Sequence, residues 1–121
     1  MRVAVTAQGM TLESAVDQRF GRCRYFIVFD TDTGTAEVHD NTVNLNAAQG
    51  AGIQTAANIS QTEAKAVLTG HVGPNAFKAL SAAGIGVYTG VNGTVSEALG
   101  ALADGRLTAA DSADAEAHGG F

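Results

Sequence analysis

The stretch from Ala66 to Leu80, AVLTGHVGPNAFKAL, decides how the chain is read. Ala66 to Thr69 form a short apolar run that predicts a strand, and Gly70 breaks it. Pro74 sits where a first helical residue belongs, because its missing N–H costs nothing there and its φ is already helical. Ala76, Phe77, Leu80 and Ala83 follow at helical spacing, and Gly84 supplies the stop. Between strand and helix lies Gly70-His71-Val72-Gly73. A tight loop opening onto a helix start presents N–H groups and a partial positive charge, and such places take anions. A plain strand-to-helix connection has the same sequence, and no Gly-x-x-x-x-Gly-Lys or Gly-x-Gly-x-x-Gly pattern occurs.

Outward from this unit the elements fall into order. Arg2 to Ala7 predicts a first, central strand. Tyr25 to Phe29 and Ala36 to His39 predict two more, joined by the turn composition Asp30-Thr31-Asp32-Thr33-Gly34 into an antiparallel hairpin. Asn41 to Gly52 reads as a loop. The next helix shows Ile53, Ala56, Ala57 and Ser60 as its buried stripe. Gly86 to Thr89 predicts the last strand. Thr94-Val95-Ser96-Glu97 is a capping box, with Val95, Ala98, Leu99 and Leu102 facing inward and Gly105 as the stop. The expected fold is α/β, three layers with a mixed, mainly parallel five-stranded sheet. Residues 1–107 form the domain, and 108–121, small and acidic, form a flexible tail.

Composition sets the outer limits. A chain of 121 residues with 45% hydrophobic content is one domain with a real core. A net charge of −5 argues against nucleic acid as the main partner. The longest apolar run, Tyr25 to Phe29, does not span a bilayer, and no leader-like start is evident, so a soluble cytoplasmic protein is expected. The single cysteine, Cys23, rules out an internal disulfide framework.

The cationic residues are concentrated. Arg19, Arg22 and Arg24 lie within six positions, directly before the second strand. If that strand is antiparallel to the first, its start shares one sheet edge with the loops beginning at Gln8, Asn41, Gly70 and Gly90. Ligands of open α/β sheets bind at such an edge. Guanidinium forks suit oxyanions or cluster sulfides. Arg22, beside Gly21, is the stronger site candidate, whereas Arg24 alternates into a strand and reads as surface. Phe20 is either core or pocket wall. Cys23 between two arginines is a thiolate ligand if exposed and inert if buried. His71 is either a metal ligand or anion donor or a solvent-facing loop residue. His39 and His118 read as surface. No chelate of ordinary spacing and no catalytic triad or carboxylate pair is visible, so an enzyme is not expected.

These residues carry a resemblance. Asp17-Gln18-Arg19-Phe20-Gly21-Arg22-Cys23, followed by Tyr25-Phe26 and a strand ending in Asp30, is similar to the dinitrogenase iron–molybdenum cofactor biosynthesis family. Gly50-Ala51-Gly52-Ile53-Gln54, Thr69-Gly70-His71-Val72-Gly73-Pro74-Asn75-Ala76-Phe77 and Gly84-Ile85-Gly86-Val87-Tyr88 follow in the family's order. The likeness runs to about Leu107 and, within the family, is strongest to the orange proteins of sulfate-reducing bacteria. It implies a ribonuclease H-like motif. It also implies non-covalent carriage of a mixed molybdenum–copper sulfide cluster, or of the iron–molybdenum cofactor or a precursor, with a protein that donates or receives it. The implied contacts are Arg19, Phe20, Gly21, Arg22 and Cys23, with His71, Val72, Gly73 and Asn75 opposite; Cys23 and His71 are the implied metal ligands. Some relatives carry a histidine where this chain has Gln49. The other reading is a protein-interaction module whose arginines meet an acidic surface.

Overall fold

The computed structural model describes residues 1–45, 47 and 50–113. The hairpin predicted around Asp30 is present: β2 (Tyr25–Asp30) pairs antiparallel with β3 (Ala36–Asp40), and also with β1 (Arg2–Ala7). On its other side β1 pairs parallel with β4 (Ala66–Leu68), which pairs parallel with β5 (Gly86–Tyr88). The sheet order is β3-β2-β1-β4-β5, and only β2 runs against the others. Val3, Ala4 and Val5 of the central strand are fully buried, as a strand covered on both faces requires.

Helices cover both faces. One face packs Ala4, Phe26, Val28 and Val67 under α2 (Ala51–Ser60) and α3 (Pro74–Ala82), through Ala56, Ile59, Ala76 and Leu80. The other packs Val3, Val5, Ile27 and Leu68 under α4 (Val95–Ala103), through Val95 and Ala98. The α4 start is the predicted capping box: Glu97 N–H donates to Thr94 Oγ1 at 3.1 Å and Thr94 N–H donates to Glu97 Oε1 at 2.9 Å. Gly84 and Gly105 adopt positive φ past the ends of α3 and α4, the conformation glycine takes at no steric cost.

The structure departs from the sequence reading in four places. Asn41 to Gly52 is not loop throughout: Thr42–Leu45 form a one-turn helix, α1, whose entry Asp40 caps by accepting Thr42 N–H at 2.8 Å. The buried stripe of α2 is Ala51, Thr55, Ala56 and Ile59, while Ile53 is half exposed and Ala57 and Ser60 face outward. His39 is only partly surface: its ring stacks on Phe26 with centroids 4.8 Å apart and planes 6° from parallel, because the two are cross-strand partners. Past Leu107 the chain still returns to the sheet, with Ala110 N–H donating to the Val87 carbonyl at 2.7 Å. Residues 114–121, with His118 and most of the predicted tail, lie outside the described residues, as does Gln49. Among the described residues no helix is long and apolar enough to cross a membrane.

Candidate functional site

Strand directions gather the loops. Ala7 pairs with Tyr25 and Tyr25 with Asp40, while Val5 pairs with Leu68 and Leu68 with Tyr88. The ends of β1, β3, β4 and β5 and the start of β2 therefore share one edge, as the sequence predicts. The arginine segment enters the sheet there.

Main-chain bonds stitch these loops together. The Gln18 carbonyl accepts from His71 N–H at 2.8 Å, and the His71 carbonyl accepts from Phe20 N–H at 3.1 Å. Arg19 and His71 thus face each other as a parallel bridge. Gly70 makes this approach possible: a Cβ there would lie 2.6 Å from the Cα of Gln18. Gln18 Nε2 donates to the Val91 carbonyl at 3.0 Å, tying in the loop after β5. Gly21 performs the same service on the other flank, where its missing side chain lets it lie against the backbone of Ala51 and Gly52 at the start of α2. Neither α2 nor α3 has a side-chain N-cap, in contrast to α4, and both begin beside this edge.

A cavity of about 400 Å³ opens here, lined by Gln8, Asp17, Gln18, Arg19, Arg24 and Leu45. Two arginines and two amides stand there beside the Asp17 carboxylate, and donors of the first two kinds suit an anion with several hydrogen-bond acceptors. Arg24 is exposed, as the sequence reads it, and lines this cavity together with the exposed Arg19. Arg22 does something else. Its Nη1 donates to the carbonyls of Ala47 at 2.8 Å and Leu45 at 3.2 Å, so it holds the segment after α1 against the loop.

The remaining candidates divide by burial. Phe20 and Val72 are fully buried in the core under α2 and α3. Gly73 is the N-cap of α3, and Asn75 is exposed in its first turn. The two metal-ligand candidates have opposite surroundings: His71 is exposed, whereas Cys23 is fully buried. Asn41 Nδ2 donates to the Cys23 carbonyl at 3.0 Å and to its Sγ at 3.4 Å. Burial, and after it the negative charge of Asp17, raise the Cys23 thiol pKa well above its ordinary value, so the sulfur stays protonated in this conformation. Among the described residues no group of three or more His, Cys, Asp or Glu side chains is placed to hold a metal ion.

Sequence reasoning passed over Asp17 and Asn41. Asp17 is 6% exposed, a rare state for a carboxylate, and Asn41 is 1% exposed. The Asp-x-Arg spacing, an Asx turn in which the carboxylate accepts Arg19 N–H, was the available signal for the first. For Asn41, which accepts from Asn44 and Thr55, no local signal exists because its partners come from two helices. A second cavity, about 530 Å³, lies at the β3 edge against the end of α2; its lining of Arg2, Glu37, His39 and neighbours holds none of the predicted site residues.

The fold agrees with what comparison finds. The chain is 42% identical to the apo form of the orange protein from Desulfovibrio gigas, with a TM-score of 0.92 over 94% of this chain and 96% of that one. A Thermotoga protein of the DUF35 family, determined by NMR, is 40% identical with a TM-score of 0.79, over 89% of this chain and 91% of that one. An uncharacterized protein of Methanocaldococcus jannaschii is 28% identical over 91 residues, 73% of this chain and 76% of the relative. The model of the family described as dinitrogenase iron-molybdenum cofactor matches residues 1–105, nearly the whole described chain, and the protein belongs to that family.

Proposed function

We propose that the protein holds an anionic metal–sulfide cluster, of molybdenum–copper or iron–molybdenum type, without covalent attachment and without catalysing a reaction. The observation that carries this reading is the pairing of Arg19 and Arg24 in one cavity at the loop-bearing sheet edge, with no chelating set of side chains among the described residues. An anion of high charge and many sulfur or oxygen acceptors is held by guanidinium groups, amides and main-chain N–H groups rather than by a cage of ligands. Arg19 and Arg24 supply charge. Gly73, Asn75 and the exposed His71, at the start of α3, are further contacts on this reading, although they do not line the cavity itself. Gly21, Arg22 and Cys23 frame the loop, and Phe20 and Val72 floor it from the core. The ribonuclease H-like label belongs to the same reading and rests on the strand order with β2 reversed.

The family membership and the likeness to an orange protein support a carrier rather than a catalyst. The cargo then passes to or from another protein, in a soluble, cytoplasmic setting. Nucleic acid is not a partner that a chain of net charge −5 favours.

The arginines provide the test. Replacing Arg19 or Arg24 with alanine is expected to weaken retention of tetrathiomolybdate with copper by about tenfold each, the scale of one charge-assisted hydrogen bond. The remaining binding should lose part of its dependence on salt. Affinity and salt dependence equal to wild type in both variants would remove this cavity from the reading.

A further inference from the structure

The cavity that presents two arginines is built over a buried carboxylate, and its placement is not that of an ion-pair partner. Among the described residues Asp17 forms no ion pair with an arginine; its oxygens accept main-chain N–H groups instead. Asp17 Oδ1 accepts from Arg19 N–H at 3.1 Å and Oδ2 from Arg24 N–H at 3.2 Å. One carboxylate thus fixes the backbone at both ends of the segment whose side chains carry the positive charge.

Asp17 is itself held from below. Its N–H donates to the Thr6 carbonyl at 2.8 Å, and its carbonyl accepts from Thr6 Oγ1 at 2.7 Å. Thr6 Oγ1 lies 2.8 Å from Thr69 Oγ1. All three residues are buried. Thr6 is the penultimate residue of β1 in the centre of the sheet, and Thr69 follows β4 directly before the Gly70-His71 loop. A continuous buried series of hydrogen bonds therefore joins the arginine segment, β1 and the residue before the Gly70-His71 loop.

From this geometry we infer that Asp17 is the positioning residue of the site, setting the direction of Arg19 and Arg24 so that both meet one anion. The inference rests on the reading of the cavity as an anion holder. A carboxylate under an anion site carries an electrostatic penalty, and Asp17 is 6% exposed. Its two accepted N–H bonds disperse the charge into the main chain and leave the guanidinium groups uncommitted to it. Were Asp17 to act only through charge, its removal would tighten anion binding. If it acts by positioning, its removal weakens binding and uncouples the two arginines.

A double-mutant cycle separates these cases. Dissociation constants for tetrathiomolybdate with copper are measured for wild type, Asp17→Asn, Arg24→Ala and the double variant. Asparagine keeps the side chain's size but offers one acceptor in place of two. The expected result is weaker binding in Asp17→Asn, with the loss due to Arg24→Ala falling from about tenfold in wild type to about twofold in the Asp17→Asn background, a coupling of about fivefold. Faster amide exchange confined to Arg19, Arg24 and their loop is expected alongside. Should Asp17→Asn fail to fold, Thr6→Val leaves every charge in place while removing the hydroxyl under Asp17. It is expected to weaken binding and reduce the Arg24→Ala effect in the same way. Losses that simply multiply, or tighter binding on removal of the charge, would overturn the inference. A wild-type protein that binds no probe overturns the function reading itself, a failure seen before any variant is made.

Discussion

Phe20→Ala is expected to lower the unfolding free energy by about 3–5 kcal/mol, the range for truncating a fully buried aromatic side chain. Phe20 is 0% exposed and sits among Phe26, Ile59, Val72 and Leu80, although it belongs to the loop that carries the arginines. The ring fastens that loop to the core, so a site loop inherits the rigidity of the sheet. Net stabilities of single domains are about 5–15 kcal/mol, so the loss is a large fraction of the whole. Urea unfolding followed by circular dichroism measures it directly. A change below about 1 kcal/mol would mean that the ring is not packed as described.

Gly21→Ala is expected to destabilise by about 1–3 kcal/mol, the cost of forcing an added methyl into a filled space. A Cβ on Gly21 would stand 2.7 Å from both the N and Cα of Gly52 and 3.1 Å from the carbonyl carbon of Ala51. These are backbone atoms, and they cannot rotate away as a side chain does. Relief requires α2 to move off the loop, and Gly52 in turn is packed on Ala76 of α3. The substitution therefore disturbs both helix starts beside the site and should weaken anion binding as well as stability. Gly100→Ala is the control. That glycine lies in α4 with nothing within 4 Å of an added Cβ, so the same change should be neutral or stabilising by up to about 1 kcal/mol. Equal effects at the two glycines would refute the packing argument.

These two positions also explain what the sequence disclosed and what it withheld. The hairpin, the Pro74 start of α3, the α4 capping box and the glycine stops each depend on residues within a few positions, and all were legible. The register of α2 was not. Its inward face is chosen by Gly52 meeting Gly21 and by Thr55 donating to the Gly21 carbonyl at 3.2 Å, contacts more than thirty positions apart. Hydrophobicity alone selected Ile53 for the core, and the structure leaves it half exposed. The arginines show the same limit. Clustering and strand direction placed them at the correct edge, but spacing could not say which one spends its donors on the chain. Arg22 is committed to the Leu45 and Ala47 carbonyls, and it is Arg19 and Arg24 that line the cavity. Alternation along a strand assigns a face, not a partner.

The same division governs Cys23. The sequence leaves an exposed thiolate and a buried thiol both open, and nothing local to Cys23 reveals that Asn41, just past β3, donates to its sulfur. Desolvation outweighs the neighbouring positive charge, as the upward direction of its shift records. On the proposed reading, a buried thiol leaves retention of the anion to the arginines and amides of the cavity, with no metal–cysteine bond to break on release.

The most direct measurement is a visible absorption titration of the apo-protein with tetrathiomolybdate and copper, followed by desalting and analysis of metals and sulfide. Molybdenum, copper and sulfide retained together, with charge-transfer bands distinct from those of the protein-free mixture, is the predicted result. Metal that washes through completely, leaving a colourless protein, would contradict the account and favour an interaction module whose arginines meet an acidic partner.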